Sequence, residues 1–359
     1  MGTVEGIRVS VASRWAKLII KVSVKSKTSW QVRQLTDMAL ITNCTSQRIK
    51  EAASYLLAGN LVAFPTETVY GLGADACNLS AVERIYEVKG RPTNHPLIVH
   101  LSSIDNLDKW TKDIPDFAIK LAISFWPGPM TLVLPRTKLA QDFITGGQDN
   151  VGVRVPANTV ALSLLNEFEA HGGYGIAAPS ANRFGKVSPT SANDVHTELS
   201  EYLKPNDLIL DGGSSKVGLE STIIDCTNNV PVILRPGAIT AAMIYDLLGI
   251  QVKVNSKNDS SQIKAPGLLQ SHYSPIAKVS LTGKPSTGDG FIALRRFPTP
   301  KGVIRLLSPV DNVEYARTLY QGLRLADIKK ISKVFVIEPT GDGIAVAICD
   351  RLQRAAQKE

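Results

Sequence analysis

Cysteine is scarce: the 359-residue chain carries Cys44, Cys77, Cys226 and Cys349, and no two of them make a CxxC spacing. That usage excludes a zinc ribbon and a thioredoxin-type motif, and it suits a reducing compartment with no disulfide framework. Long apolar runs are missing too. No window of about 18 uninterrupted apolar residues occurs, so no membrane span is expected. The most apolar early stretch, Trp15 to Val24, is broken by Lys17 and Lys21. The patterns GxxxxGKS, GxxxxGKT, GxSxG and HExxH do not occur, which excludes a P-loop, a hydrolase nucleophile elbow and a zincin metal site. His95 and His100 stand five residues apart with no acid or cysteine beside them, a pattern that favours hydrogen-bonding roles over metal, and no metal ligand is assigned.

Two glycine patterns resemble a dinucleotide fingerprint, Gly71 to Ala76 and Gly173 to Ala178. The first sits several residues beyond its strand and lacks the acid expected about 20 residues on; the second leads into a strand instead of a helix. Positive charge is also less general than it looks. The formal net charge is +8, but Arg8, Arg14, Lys17, Lys21, Lys25, Lys27 and Arg33 stand against Glu5 and Asp37 in residues 1–44, which is +5 and leaves +3 for the other 315 residues. The body is nearly balanced, so weak or no direct nucleic-acid binding is expected. Residues 1–44 are basic, acid-poor and rich in Ser and Thr, the composition of an organelle transit peptide or a disordered arm. Gly2 follows Met1, but Gly6 stands where myristoylation needs Ser or Thr.

What is present reads as α/β. The folded part is expected from about residue 45, with Ser46 capping a helix that ends near Gly59 and a short strand from Leu61 to Phe64. Ser80 and Glu83 have capping-box spacing for the next helix, which Gly90 and Pro92 close. Strand-like runs follow at 97–101, 131–134, 151–155, 176–178, 208–210, 222–225 and 232–234, with helical patterns at 115–125, 159–168 and 240–248. Residues 251–276 are poor in apolar periodicity and read as a linker. A second α/β pattern then appears, with strands at 291–294, 303–307 and 334–337 and helices at 312–326 and 344–356. The expected division is an extension over 1–44, a larger domain over 45–250, the linker, and a small domain over 277–359.

Polar groups stand where packing alone would not ask for them. Pro65 to Gly73 leaves a strand with Thr66, Glu67 and Thr68; Lys89 and Arg91 flank a glycine; Arg154 interrupts an apolar run; Ser180 and Asn182 follow Pro179; Ser188, Glu220, Ser221 and Arg235 lie beside Pro, Gly or Thr. Ligands of open α/β sheets bind at strand ends and the loops after them. Lys89, Arg91, Arg154 and Arg235 gathered there would suit a substrate with phosphates and carboxylates. Each arginine alone could equally be a surface ion pair, and Thr68, Ser180 and Ser221 could equally cap turns.

Residues from about 45 to 245 closely resemble the YrdC-like family. The resemblance is carried by FPTETVYGLGADA (64–76), KGRPTNHPLIVHL (89–101), WPGPMTLVL (126–134), VRVP (153–156), APSANRFGKVSPT (178–190), DGG (211–213), GLESTIID (218–225) and LRPG (234–237), in the family's order. Ala265-Pro266-Gly267 and His272-Tyr273-Ser274-Pro275 resemble the linker of the long, two-domain threonylcarbamoyl-adenylate synthases. Residues 315–327 and 343–356 look like their small C-terminal domain, although Cys349-Asp350 departs from the pair expected there.

The resemblance implies a twisted, open mixed sheet with helices plus a smaller Rossmann-like α/β domain. It implies synthesis of threonylcarbamoyl-adenylate and pyrophosphate from L-threonine, bicarbonate and ATP. A downstream threonylcarbamoyl-transferase complex would use the product to modify tRNA next to the anticodon. Carried over residue by residue, Thr68, His100, Arg154, Ala178 and Ser221 match L-threonine positions. Arg91, His95, Asn150, Ser180, Asn182, Ser188, Arg235 and Tyr273 match ATP positions, and Lys89, Arg91 and Arg235 are the catalytic candidates. Magnesium is expected to arrive with the triphosphate instead of in a protein cage. The location implied is cytoplasmic, with residues 1–44 able to specify a mitochondrial or plastid form. The alternatives are a non-catalytic RNA-binding module and a carbamoyl-transfer enzyme related to hydrogenase maturation; the latter would carry zinc-binding and acylphosphatase segments, which are not visible.

Overall fold

The structure is a computed structural model and describes residues 40–254, 265–267 and 273–357. The transit-peptide reading falls on residues 1–44, of which 1–39 lie outside the described residues, as do 255–264 and 268–272 of the linker.

In chain order the elements of the larger part are β1 (Leu40–Asn43), α1 (Ser46–Leu57), β2 (Val62–Phe64), β3 (Gly71–Asp75), α2 (Leu79–Lys89), β4 (Ile98–His100), α3 (Leu107–Trp110), α4 (Asp116–Phe125), β5 (Met130–Pro135), α5 (Asp142–Thr145), β6 (Asn150–Arg154), α6 (Thr159–Ala170), β7 (Ile176–Ala177), α7 (Ala192–Leu199), β8 (Leu208–Asp211), β9 (Thr222–Asp225), β10 (Val232–Arg235), α8 (Ala241–Leu248) and β11 (Lys253–Val254). After the linker come β12 (Lys278–Ser280), β13 (Gly290–Ile292), β14 (Ile304–Leu307), α9 (Asn312–Ile328), β15 (Lys333–Val336) and α10 (Ile344–Ala356).

Among the described residues, eleven strands form one mixed sheet in the order β1-β8-β2-β3-β7-β4-β6-β5-β9-β10-β11, and four form a second sheet, β12-β15-β13-β14. Every pairing in the second sheet is parallel. The α/β class expected from the sequence is therefore the one observed. The large core gathers buried apolar residues from β2 to β10 and the helices over them, with Trp110 fully enclosed and its indole donating to Tyr174 O at 3.1 Å. Tyr315, Leu319, Leu323, Ile348 and Leu352 form the core of the second sheet. Among the described residues no helix is long and apolar enough to cross a membrane.

The structure differs from the sequence reading at several local points. Thr45, not Ser46, caps α1 by accepting from Arg48 N. Asn78, not Ser80, caps α2 by accepting from Ala81 N; either amide or hydroxyl can fill this role, and the position of the first turn decides. Residues 40–43, at the end of the stretch read as a basic arm, form β1 and pair in parallel with β8. The glycine-rich Gly71–Asp75 is itself a strand, β3, antiparallel to β2 and β7. A Cβ at Gly73 would lie 2.8 Å from both the Phe64 ring and Ile176. That glycine lets a neighbouring side chain cross the strand; it does not cradle a phosphate.

Candidate active site

Strand register brings the first site residues together. β4 and β6 run parallel with His100 opposite Arg154, and both strands end there. The segment after β2 folds back across these ends through Thr66. Its hydroxyl donates to Val69 O at 2.6 Å and lies 2.7 Å from the Thr68 hydroxyl. Gly71 bridges to Ser180 just after β7. β10 delivers Arg235 from the other side. Pro266, Gly267 and Tyr273 line the remaining side.

The result is a pocket lined by Thr66, Thr68, Arg91, Ile98, His100, Arg154, Ala178, Ser180, Glu220, Ser221, Arg235, Pro266, Gly267 and Tyr273, among others. Thr68, His100, Arg154, Ala178 and Ser221 all reach it, as do Arg91, Ser180, Arg235 and Tyr273.

The arginines are buried and differ in how far they are committed. Arg154 donates to Gly128 O at 3.1 Å, Thr68 Oγ1 at 3.0 Å and Glu67 Oε1 at 2.6 Å. Those three bonds leave two of the five guanidinium N–H groups for a ligand. Glu67 is consumed on the far side by Ala157 N at 3.0 Å. Arg235 grips Ser221 through its carbonyl at 3.1 and 2.9 Å and its hydroxyl at 3.1 Å, and Pro266 O at 2.8 Å. Arg91 donates to Pro96 O at 3.0 Å and lies 5.8 Å from the Phe184 ring centre, while its buried Nε has no partner among the described residues. Burial is the main cause that draws Arg91 down to about 10, with Arg235 adding to it, so it stays cationic near neutral pH. His100 is pushed down to about 3 by burial and then by Arg154, and its Nδ1 has no partner among the described residues. It is a neutral group in this site.

Glu220 shows the opposite balance. Burial alone would raise its carboxyl, but Arg351 and Arg235 outweigh that and hold it at about 2. Glu220, the carboxylate that lines the pocket, is thus an ionised partner of Arg351, and Glu67 behind the lining pairs with Arg154 at 2.6 Å, so a polyanion entering the pocket meets cations first.

Five residues expected at the site do not line this pocket. Lys89, 2% exposed, points behind the wall, donating to Ser180 O at 2.6 Å and to Asn182 O. Burial, then Arg91 and Arg183, draw its ammonium well below its usual value, with Glu198 opposing. Asn182 is buried and ties the same loop to Arg183 O at 2.7 Å and Lys186 O at 2.9 Å. Ser188 is enclosed and donates to Glu220 Oε1 at 2.6 Å. His95 packs edge-on against Phe184 at 5.4 Å. Asn150 lines an adjoining cavity of about 260 Å³ that shares Ile98 and Pro266 with the main pocket. Glu67 and Glu220 were given no role from the sequence, nor were Tyr320 and Arg351. Arg351 carried a signal: it falls on the buried stripe of α10 with Ile348, Leu352 and Ala355.

The family model described as "Telomere recombination" matches residues 54–237. The model described as "Threonylcarbamoyl-AMP synthase, C-terminal domain" matches residues 239–357. The chain is 40% identical over 327 residues to the threonylcarbamoyl-AMP synthase of Pyrococcus abyssi, covering 86% of this chain and 94% of that one. The chain belongs to the threonylcarbamoyl-AMP synthase family. The Bacillus subtilis threonylcarbamoyl-AMP synthase is 35% identical, with 90% of this chain and 97% of that one covered. Among solved structures, Pyrococcus abyssi Sua5 complexed with L-threonine superimposes with a TM-score of 0.80 at 37% identity, covering 89% of this chain and 98% of that chain. Family membership and the two-sheet fold therefore agree along most of the chain.

Proposed function

We propose that the chain is a threonylcarbamoyl-AMP synthase, converting L-threonine, bicarbonate and ATP to threonylcarbamoyl-adenylate, pyrophosphate and water. The observation that carries this reading is the convergence of Arg91, Arg154 and Arg235, all buried, on one pocket whose lining carboxylate, Glu220, is already paired with Arg351. The L-threonine complex of the Pyrococcus abyssi relative supports the amino-acid half.

The threonine amine first condenses with bicarbonate, giving a carbamate and water. A carbamate oxygen then attacks the α-phosphorus, and the bond to the β-phosphate oxygen breaks with release of pyrophosphate. The nucleophile is already anionic, so positioning and charge neutralisation are the tasks left to the protein. Arg154 uses its two remaining N–H groups on the threonine carboxylate, beside Thr68, His100 and Ala178. Arg91 and Arg235 face the triphosphate with Ser180 and Tyr273 around the nucleotide, and Ser188 stands behind them on Glu220. Lys89 acts by holding the Ser180–Asn182 backbone against that side.

Magnesium enters as part of MgATP. Among the described residues no group of three or more His, Cys, Asp or Glu side chains could hold a metal ion, and Glu67 and Glu220 are committed to arginines. Phosphate oxygens and water are the ligands that magnesium ordinarily takes in such a complex. A tRNA-modifying threonylcarbamoyl-transferase complex consumes the product. A cytoplasmic location, with an organelle form carried by residues 1–44, completes the reading.

The test is pyrophosphate release from MgATP with bicarbonate, with and without L-threonine, using serine and valine as controls. Release that requires both threonine and bicarbonate is expected. Well-folded protein with no threonine-dependent release would overturn the assignment.

A further inference from the structure

We propose that Tyr320 and Arg351, on the helices of the small sheet, are positioning residues for the nucleotide side of the pocket, acting through Glu220. This rests on the synthase reading only for the identity of the nucleotide.

Glu220 belongs to the loop before β9, lines the pocket and is 6% exposed. Its carboxylate accepts from groups of both sheets. Oε2 takes Arg351 Nε at 2.8 Å, and the Tyr320 hydroxyl lies 2.9 Å from Oε2 and 3.1 Å from Oε1. Oε1 also takes the Ser188 hydroxyl at 2.6 Å. The next residue, Ser221, is gripped by Arg235. Glu220 therefore ties two expected ligand-binding residues to the small sheet. With every contact spent on the protein, it is an anchor and not a base for the reaction.

The same pair frames the linker aromatic. The Tyr320 and Tyr273 rings stack at 5.8 Å and 25°, and the Arg351 guanidinium lies 5.3 Å from the Tyr273 ring centre. Arg351 further donates to Pro236 O at 3.0 Å, one residue beyond Arg235. A separate contact reinforces the arrangement: Arg324 donates to Val187 O beside Ser188 and pairs with Glu198 at 3.3 Å. Gly218 makes the docking close. Its φ is +79°, and a Cβ there would fall 2.5 Å from Arg317 Cα on α9.

A fully enclosed arginine–carboxylate pair is weak evidence for stability, since apolar replacements of similar volume often serve as well. What packing could not supply is a fixed acceptor for Ser188 and a cation beside Tyr273. The small sheet thus sets the nucleotide wall as well as carrying the linker to it.

The test compares full-length wild type with Tyr320→Phe, Arg351→Met and Arg351→Lys. MgATP and L-threonine affinities are read by calorimetry, and Tm by scanning calorimetry. Tyr320→Phe, which keeps the ring and removes the hydroxyl, is expected to weaken MgATP binding roughly threefold to tenfold, the effect of one lost hydrogen bond. Arg351→Met is expected to weaken it at least as much, and Arg351→Lys to restore part of the loss. Variants with lowered Tm but wild-type MgATP affinity would overturn the positioning role. If Arg351→Met does not fold, Tyr320→Phe alone decides. Wild type that binds MgATP but not L-threonine would overturn the synthase reading and leave the variant comparison standing. Wild type that binds neither would overturn both.

Discussion

The two walls of the pocket are built by different means. The wall with His100 and Arg154 comes from adjoining strands in register, and Arg154 bonds to Gly128, Thr68 and Glu67 in loops of the same larger part. The wall with Arg91, Ser180, Arg235 and Tyr273 is largely loops and one strand end. It is held by the carbonyls of Pro96, Ser221 and Pro266, by Lys89 from behind, and by Arg351 and Tyr320 from the other sheet. Backbone pairing sets the position of a strand residue; a loop residue needs side-chain braces to reach similar precision. A change in the strand wall should therefore register first in folding, and a change in the loop wall first in binding and turnover.

The largest effects would test that division directly. Arg91→Ala should lower turnover by roughly 10²–10³, as for loss of one preorganised donor, with a smaller fall in Tm because Pro96 O loses its donor. Steady-state pyrophosphate release and scanning calorimetry read the two quantities; near-native turnover would remove Arg91 from the site. Lys89→Ala should give a comparable fall by displacing the Ser180 loop, and because it leaves two buried carbonyls without their donor it should also lower Tm. A Lys89→Ala enzyme that lost turnover with unchanged Tm would place Lys89 beside the substrate instead.

Arg154→Ala should destabilise the fold by about 3–5 kcal/mol, because Glu67 would be left as an unpaired buried charge. Denaturant unfolding measures this, and unchanged stability would break the contrast between the walls. His100 gives a smaller, pH-dependent effect. Its folded value is depressed to about 3, so between the ordinary value of 6.5 and 3 the unfolded chain binds a proton that the folded one does not. Stability should thus fall as pH drops through that window, and His100→Asn should flatten the slope between about pH 6.5 and 5 by up to about 1.4 kcal/mol per pH unit. An unaltered slope would show that His100 titrates normally. At the low end, Asp149→Asn, in an exposed pair with Arg136, should change neither activity nor Tm.

Legibility followed the same division. Elements with strong periodicity, such as 312–326 and 344–356, emerged close to their observed bounds, Asn312–Ile328 and Ile344–Ala356. β3 did not, because Gly71 and Gly73 read as a glycine pattern beyond the strand until the Phe64 ring is seen packed against both. The resemblance to the YrdC-like family pointed to nine of the residues that line the pocket, and most of them stand at strand ends or in the loops after them. The motifs could not tell which polar groups face inward. Lys89, Asn182 and Ser188 carry the same chemical types as their neighbours but are turned to backbone carbonyls or to Glu220.

By itself, the sequence determined the alternation of strands and helices, the strand-end loops and the charge that a ligand would meet, because these depend on near neighbours in the chain. Tertiary structure alone decided that Glu220 would be held by Tyr320 and Arg351, 100 and 131 residues away. A buried carboxylate must find donors wherever the fold brings them, and no local pattern specifies which helix will supply them.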